Sequence, residues 1–140
     1  VQSDHAIRSA CRFFNIPIVI HSNRMTDEEY YQLVQSMHVN LIMSLSETYS
    51  YLGAESLALG TPILTTPITP ILETADKTLR EHCVLDTFDD PVQIADRIEN
   101  ILRQRLILSH LGYSHMLTYN KTELPKVAKV REEWTRPLLS

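Results

Sequence analysis

The chain has 140 residues, 44% of them hydrophobic and 21% charged, which is enough for one domain with a buried core. Its formal net charge of −4 argues against nucleic-acid binding, because that function normally shows a basic excess or a basic stripe. No apolar run approaches the roughly 20 residues of a membrane span, so no transmembrane segment is expected.

The two cysteines, Cys11 and Cys83, lie in separate apolar segments and indicate buried, reduced thiols, so we expect a cytoplasmic protein. The six histidines are scattered without a ligand spacing, and no metal site is predicted. The chain starts at Val1, without an initiator methionine, and runs straight into a helical pattern. We therefore expect a piece of a longer polypeptide, a single domain over residues 1–140 that lacks its first strand and helix and carries a helical tail over 105–140.

The first predicted elements are a helix and a strand. Ser3 or Asp4 can cap a helix whose apolar residues recur at helical spacing, and Asn15 ends it. The apolar run at residues 17–20 predicts a short, fully buried strand.

The next segment repeats this order. Thr26 and Glu29 form a capping box that opens a second helix, and residues 41–43 predict a second buried strand. A short helix follows over residues 51–59, and Gly60 is placed to stop it where a left-handed residue is required. Residues 62–64 predict the third strand.

The second half is mainly helical. A weak helix is predicted over residues 71–79 and a fourth strand over residues 83–85. Asp90 and Pro91 provide the cap and the first position of a strong helix, and residues 106–117 predict another. A last helix would carry an apolar seam at i, i+3 and i+7: Val127, Val130 and Trp134.

Strands that alternate with helices and are continuously apolar predict an α/β fold with a doubly wound parallel sheet, covered on both faces. Ligands of such sheets bind beyond the carboxyl ends of the strands. This rule predicts that a ligand binds at the loops that follow Ile20, Met43 and Leu64.

The most unusual stretch is residues 44–62. Glu47 follows a predicted strand, and the backbone amides of residues 48–52 lead into a helix N-terminus, which is suited to a diphosphate. Glu55 lies about one turn into that helix, where a carboxylate can accept hydrogen bonds from two ribose hydroxyls. Taken singly, Glu55 is as readily explained as a favourable interaction at a helix start, and Glu47 as a solvated loop residue.

The spacing of Glu47 and Glu55 resembles the E-x7-E signature of the retaining glycosyltransferase family 4. The residues that match the family pattern in register are Ser44, Glu47, Tyr49, Glu55, Ala58, Gly60 and Pro62. The resemblance implies the Rossmann-like, C-terminal donor-binding half of a glycosyltransferase with the GT-B architecture. It also implies a UDP- or GDP-linked sugar as donor substrate, and no other cofactor.

The resemblance assigns roles to individual residues. Glu47 would contact the donor sugar as the catalytic-site carboxylate, and Glu55 would bind the nucleotide ribose. Backbone amides that would contact sugar or phosphate belong to Thr48, Tyr49 and Ser50. The turn after the first strand would touch the base through Asn23, Arg24 and Met25.

The chain also departs from the family pattern. The upstream Arg and Lys that neutralise the donor diphosphate have no counterpart, and the N-terminal acceptor-binding domain is missing. Two alternatives stay open. One is a non-catalytic GT-B-like half that serves as a binding or scaffold module, and the other is an unrelated flavodoxin-like domain in which the glutamate spacing is chance.

Overall fold

A computed structural model describes residues 2–21, 23–45 and 50–122. The helices are α1 (Gln2–Phe13), α2 (Asp27–Ser36), α3 (Tyr51–Ala58), α4 (Lys77–Cys83), α5 (Pro91–Arg103) and α6 (Arg105–Thr122). The strands are β1 (Asn40–Ile42) and β2 (Ile63–Thr65), and a turn of 3-10 helix, Pro70–Leu72, precedes α4. The protein is therefore α/β, with six α-helices and two strands in the described residues.

The two strands form a parallel pair in which Asn40 lies opposite Ile63 and Ile42 opposite Thr65. Val84 adds an isolated parallel bridge to Thr65. The described residues thus form a small parallel sheet, with α3 as the connection from β1 to β2, and not the larger doubly wound sheet that the sequence predicted.

The core lies around β2 and the helices that cover it. Ile63 and Leu64 of β2 are fully buried, as are Leu57 of α3 and Leu108 of α6. By contrast, Leu41 of β1 is 45% exposed. The central position of β2 explains why its sequence reads as continuously apolar, since a strand covered on both faces has no solvent side.

The predicted end of α3 at Gly60 is confirmed. Gly60 has a φ of +85°, which a glycine adopts without the steric penalty of a Cβ atom. Its amide donates to the carbonyl of Leu57, and the amide of Thr61 donates to the carbonyl of Ser56. This pair of bonds is the Schellman arrangement, which satisfies the last carbonyls of the helix and turns the chain into β2.

Other predicted helix ends are also confirmed. Asn15, with a φ of +54°, follows α1. The hydroxyl of Thr26 accepts the amide of Glu29 at 3.2 Å and donates to the Glu29 carboxylate at 3.0 Å, so the two side chains join at the start of α2. Asp90 accepts the amides of the first turn of α5, which begins at Pro91.

The predicted first strand is wrong. Residues 17–20 form no strand in the structure, and Val19 is 78% exposed. A strand exists only where a neighbour exchanges backbone hydrogen bonds with it, and its apolar residues are buried only where a layer covers them. Apolar composition alone supplies neither condition.

The segment before α5 differs from its prediction as well. Instead of one helix over 71–79, the structure has the 3-10 turn, which ends at Leu72, and then α4. Asp76 opens α4 by accepting the amide of Thr78 at 2.8 Å. The predicted strand over 83–85 is reduced to one bridge, because Cys83 is the last residue of α4. The cap at Asp76 thus shifts the helix toward the C-terminus, over the start of the predicted strand.

Helix α6 confirms and extends the predicted helix over 106–117. The seam of Val127, Val130 and Trp134 lies outside the described residues. No helix among those that the structure describes is long and apolar enough to cross a membrane.

Candidate functional site

Three of the predicted site residues, Glu47, Thr48 and Tyr49, lie outside the described residues. The structure describes the two ends of their loop, which are the end of β1 with residues 43–45 and the start of α3 at Ser50. The hydroxyl of Thr66, just after β2, donates to the carbonyl of Ser44. Both strands therefore end beside the predicted loop, at the carboxyl edge of the sheet.

Ser50 is the N-cap of α3. Its hydroxyl accepts the amide of Gly53 at 3.0 Å, and its side chain is only 3% exposed. A Cβ atom at Gly53 would lie 2.9 Å from this hydroxyl, so the glycine permits the close cap. The side chain of Ser50 is thus occupied within the fold.

Glu55 is half-buried on α3 and forms a hydrogen bond with Tyr30 of α2. Burial raises the pKa of Tyr30 from 10.0 to about 12, with further contributions from the hydrogen bond and the negative charge of Glu55. The phenol therefore stays protonated at neutral pH and donates to the carboxylate. One hydrogen bond leaves a carboxylate with further acceptor capacity.

A buried polar network holds α3 against its neighbours. The side-chain amide of Asn40 donates to Ser56 Oγ at 2.8 Å and to the carbonyl of Val34 at 3.2 Å. Ser56 Oγ donates in turn to the carbonyl of Thr61 at 2.8 Å. These bonds join the end of α2, the start of β1 and the turn after α3, so the helix that carries Glu55 has a fixed position on the sheet.

Sequence reasoning missed the part that Tyr30 and Asn40 play. The sequence pattern assigns a role in the site to neither residue. The available signal was a tyrosine on a largely apolar helix face, since a buried phenol requires a hydrogen-bond partner. The identity of that partner depends on how α2 and α3 pack.

The turn before α2 contains the other predicted residues. The exposed Arg24 and the half-buried Met25 line a small cavity of 190 Å³. Its other lining residues are Ile20, His21, Asn23 and Glu29. The residues predicted to touch the base are therefore brought together around one concavity.

A larger cavity of 550 Å³ lies beside the chain that follows β2 and Val84, and sequence reasoning did not predict it. Its walls include the apolar Leu72 and Leu85 and the guanidinium of Arg97. Arg97 donates to the carbonyls of Glu81 and Val84 at 2.6 and 2.7 Å and pairs with Asp86 at 3.3 Å. The guanidinium of Arg97 thus satisfies backbone carbonyls at the C-terminal end of α4.

Among the described residues, no group of three or more His, Cys, Asp or Glu side chains is arranged to hold a metal ion. No protein-family model, curated protein or solved structure matches this chain. The features that bear on function are therefore the E-x7-E spacing and the geometry at the carboxyl edge of the sheet.

Proposed function

We propose that the chain is the donor-binding half of a retaining glycosyltransferase, and that it binds a nucleoside-diphosphate sugar at the loop between β1 and α3. The observation that carries the proposal is the placement of Glu55. This half-buried carboxylate lies on the helix that starts at the carboxyl edge of a parallel sheet, where α/β proteins bind their ligands.

The roles of the parts follow from their chemistry. The first amides of α3 and the positive end of its dipole favour a phosphate group. Glu55, one turn into the helix, would accept hydrogen bonds from the ribose, and Tyr30 would hold the carboxylate in place. Glu47 would face the sugar, whose anomeric carbon gains positive charge as the glycosidic bond breaks.

The proposal includes a larger sheet in the intact enzyme. Residues 83–85, which bridge Thr65 through Val84, would act as a further strand of a doubly wound parallel sheet.

One observation favours a second candidate, a non-catalytic α/β binding or scaffold module. The hydrogen bond between Tyr30 and Glu55 gives the glutamate a structural role that requires no ligand. In this case Glu55 would link α2 to α3, and its substitution would lower stability without changing any nucleotide affinity.

Titration of the chain with UDP and GDP, followed by backbone amide shifts, distinguishes the two candidates. The glycosyltransferase proposal expects shifts concentrated at residues 44–52 and lost in Glu55→Ala. Glu99→Ala is the matched control, because it removes an exposed glutamate from α5 whose ion pair with Arg103 contributes little. Shifts concentrated instead at residues 86–91, or unchanged in Glu55→Ala, would refute the site.

In the intact enzyme the two glutamates are expected to differ kinetically. Glu55→Ala raises the donor KM more than it lowers kcat, because ribose contacts are nearly equal in the ground and transition states. Glu47→Ala lowers kcat by roughly a hundredfold or more, since a carboxylate near the developing charge acts mainly in the transition state. Near-normal turnover of Glu47→Ala at saturating donor would remove its assignment.

A further inference from the structure

The cavity beside α4 has the volume of a small-molecule site. It measures 550 Å³, within the range of about 300–1,000 Å³ that is usual for ligand pockets. Leu72 and Leu85, which are 1% and 2% exposed, give it an apolar wall. Pro67 follows β2 and Asp86 follows the bridge at Val84, so the cavity lies at the carboxyl edge of these parallel segments, where α/β proteins bind ligands. None of its lining residues is among those assigned above to the nucleotide-sugar site.

The charged residues around the cavity are balanced in number. Three are basic and three are acidic, and four of the six pair with each other. Arg97 lies 3.3 Å from Asp86, and Lys77 lies 3.6 Å from Glu81. The wall therefore carries no net charge, and it offers no overall attraction to either an anion or a cation.

The two remaining charged side chains belong to Arg80 and Glu73. Neither side chain forms a hydrogen bond or an ion pair with any residue that the structure describes. We propose that this cavity, with one unpaired guanidinium, one unpaired carboxylate and an apolar wall, binds a free α-amino acid with an apolar side chain. Arg80 donates to the carboxylate of the ligand, Glu73 accepts from its ammonium group, and its side chain covers Leu72 and Leu85.

A zwitterion fits this wall better than a ligand with a single charge. A monocarboxylate would satisfy Arg80 but would be repelled by Glu73, and an amine would have the opposite difficulty. A nucleoside diphosphate would bring several negative charges next to three carboxylates, so the cavity does not duplicate the nucleotide-sugar site. Because Arg80 and Glu73 are exposed, each new ion pair contributes modestly, and we expect a Kd on the order of 0.1–1 mM.

Backbone amide shifts measured during a titration with L-leucine test the proposal. Leucine should produce saturable shifts at residues 72–73, at Arg80 and at residues 84–86. Isocaproate lacks the ammonium group and isoamylamine lacks the carboxylate, and both keep the branched apolar skeleton. Each analogue should bind about fivefold more weakly than leucine, which is the upper range for one exposed ion pair.

Two substitutions separate the two charges. Arg80→Gln should weaken leucine binding about fivefold and should not weaken isoamylamine, which has no carboxylate. Glu73→Gln should weaken leucine binding by a similar factor and should not weaken isocaproate. Arg12→Gln and Glu28→Gln make the same changes at exposed positions of α1 and α2, outside the cavity, and should alter none of these affinities.

Several results would overturn the proposal. One is the absence of saturable shifts at about ten times the expected Kd, and another is a set of shifts confined to residues outside the cavity. Equal affinity for leucine and both analogues would show binding to the apolar wall alone, and equal losses in the control variants would show a general charge effect. UDP or GDP shifts at the same amides would assign the cavity to the nucleotide. The nucleotide-sugar proposal is tested separately, because it expects shifts at residues 44–52.

Discussion

The contact between Tyr30 and Glu55 connects the candidate site to a measurable titration. Tyr30→Phe removes the hydroxyl that donates to the Glu55 carboxylate. Glu55→Gln removes the negative charge beside the Tyr30 hydroxyl. The pKa of Tyr30 is raised to about 12, first by burial and then by Glu55. Glu55→Gln should therefore lower this pKa part of the way toward 10.0, and burial should keep it above that value.

The magnitude follows from the size of the shift. A change from 10.0 to about 12 corresponds to about 2.7 kcal/mol between the protonation states of Tyr30. Solvent screening of this half-buried group reduces the usable stability to about 1–2 kcal/mol. Because the folded-state pKa lies above the unfolded value, this stability is fully present below pH 10 and is lost as the pH rises toward 12.

Ultraviolet difference titration of tyrosinate measures the effect directly. The transition that disappears in Tyr30→Phe identifies Tyr30 among the six tyrosines, and Glu55→Gln then shows how far it moves. Tyr31→Phe is the control, because Tyr31 is exposed and contributes least to the raised pKa of Tyr30. Titration of Tyr30 at 10.0 in the wild type, or an unchanged transition in Glu55→Gln, would refute the contact.

Three further perturbations have defined outcomes. Gly112→Ala would bring a Cβ atom within 2.7 Å of Leu57 Cδ2, so urea unfolding should show a loss of about 1–2 kcal/mol despite the better helix propensity of alanine. Cys83 is fully buried, which raises the pKa of its thiol to about 12, so at pH 8 a thiol reagent should modify the half-buried Cys11 first and Cys83 only on unfolding. Asp90→Ala removes the cap of α5 and should lower unfolding free energy by about 1 kcal/mol; an unchanged value would show that the cap contributes nothing.

The parts of the fold that sequence predicted well are those with local causes. The helix starts at Thr26 and Asp90 and the stop at Gly60 each depend on a side chain or a φ angle within three or four residues. Such local signals do not depend on tertiary contacts, so the helix ends that they predict are also found in the folded protein.

The wrong strand and the missed role of Tyr30 have non-local causes, whereas the misplaced helix has a local one. Residues 17–20 have strand composition, but a strand requires a hydrogen-bonding neighbour, and in the described residues β1 pairs only with β2. At residues 71–79 two local signals compete, and the cap at Asp76 prevails over the apolar pattern that suggested an earlier helix. The role of Tyr30 likewise depends on packing between two helices, 25 residues apart in sequence at the contact with Glu55.

The distribution of charge restricts how the proposed site can hold a diphosphate. The cations Lys77, Arg80 and Arg97 line the cavity beside α4, and Arg97 is already engaged with two carbonyls and Asp86. The start of α3 instead carries the carboxylate of Glu55 one turn along. A diphosphate there would depend on backbone amides and the helix dipole, which contribute about 0.3–1 kcal/mol at an exposed terminus, against the larger contribution of charge-assisted pairs. The proposed function therefore requires basic groups beyond those that lie at the start of α3.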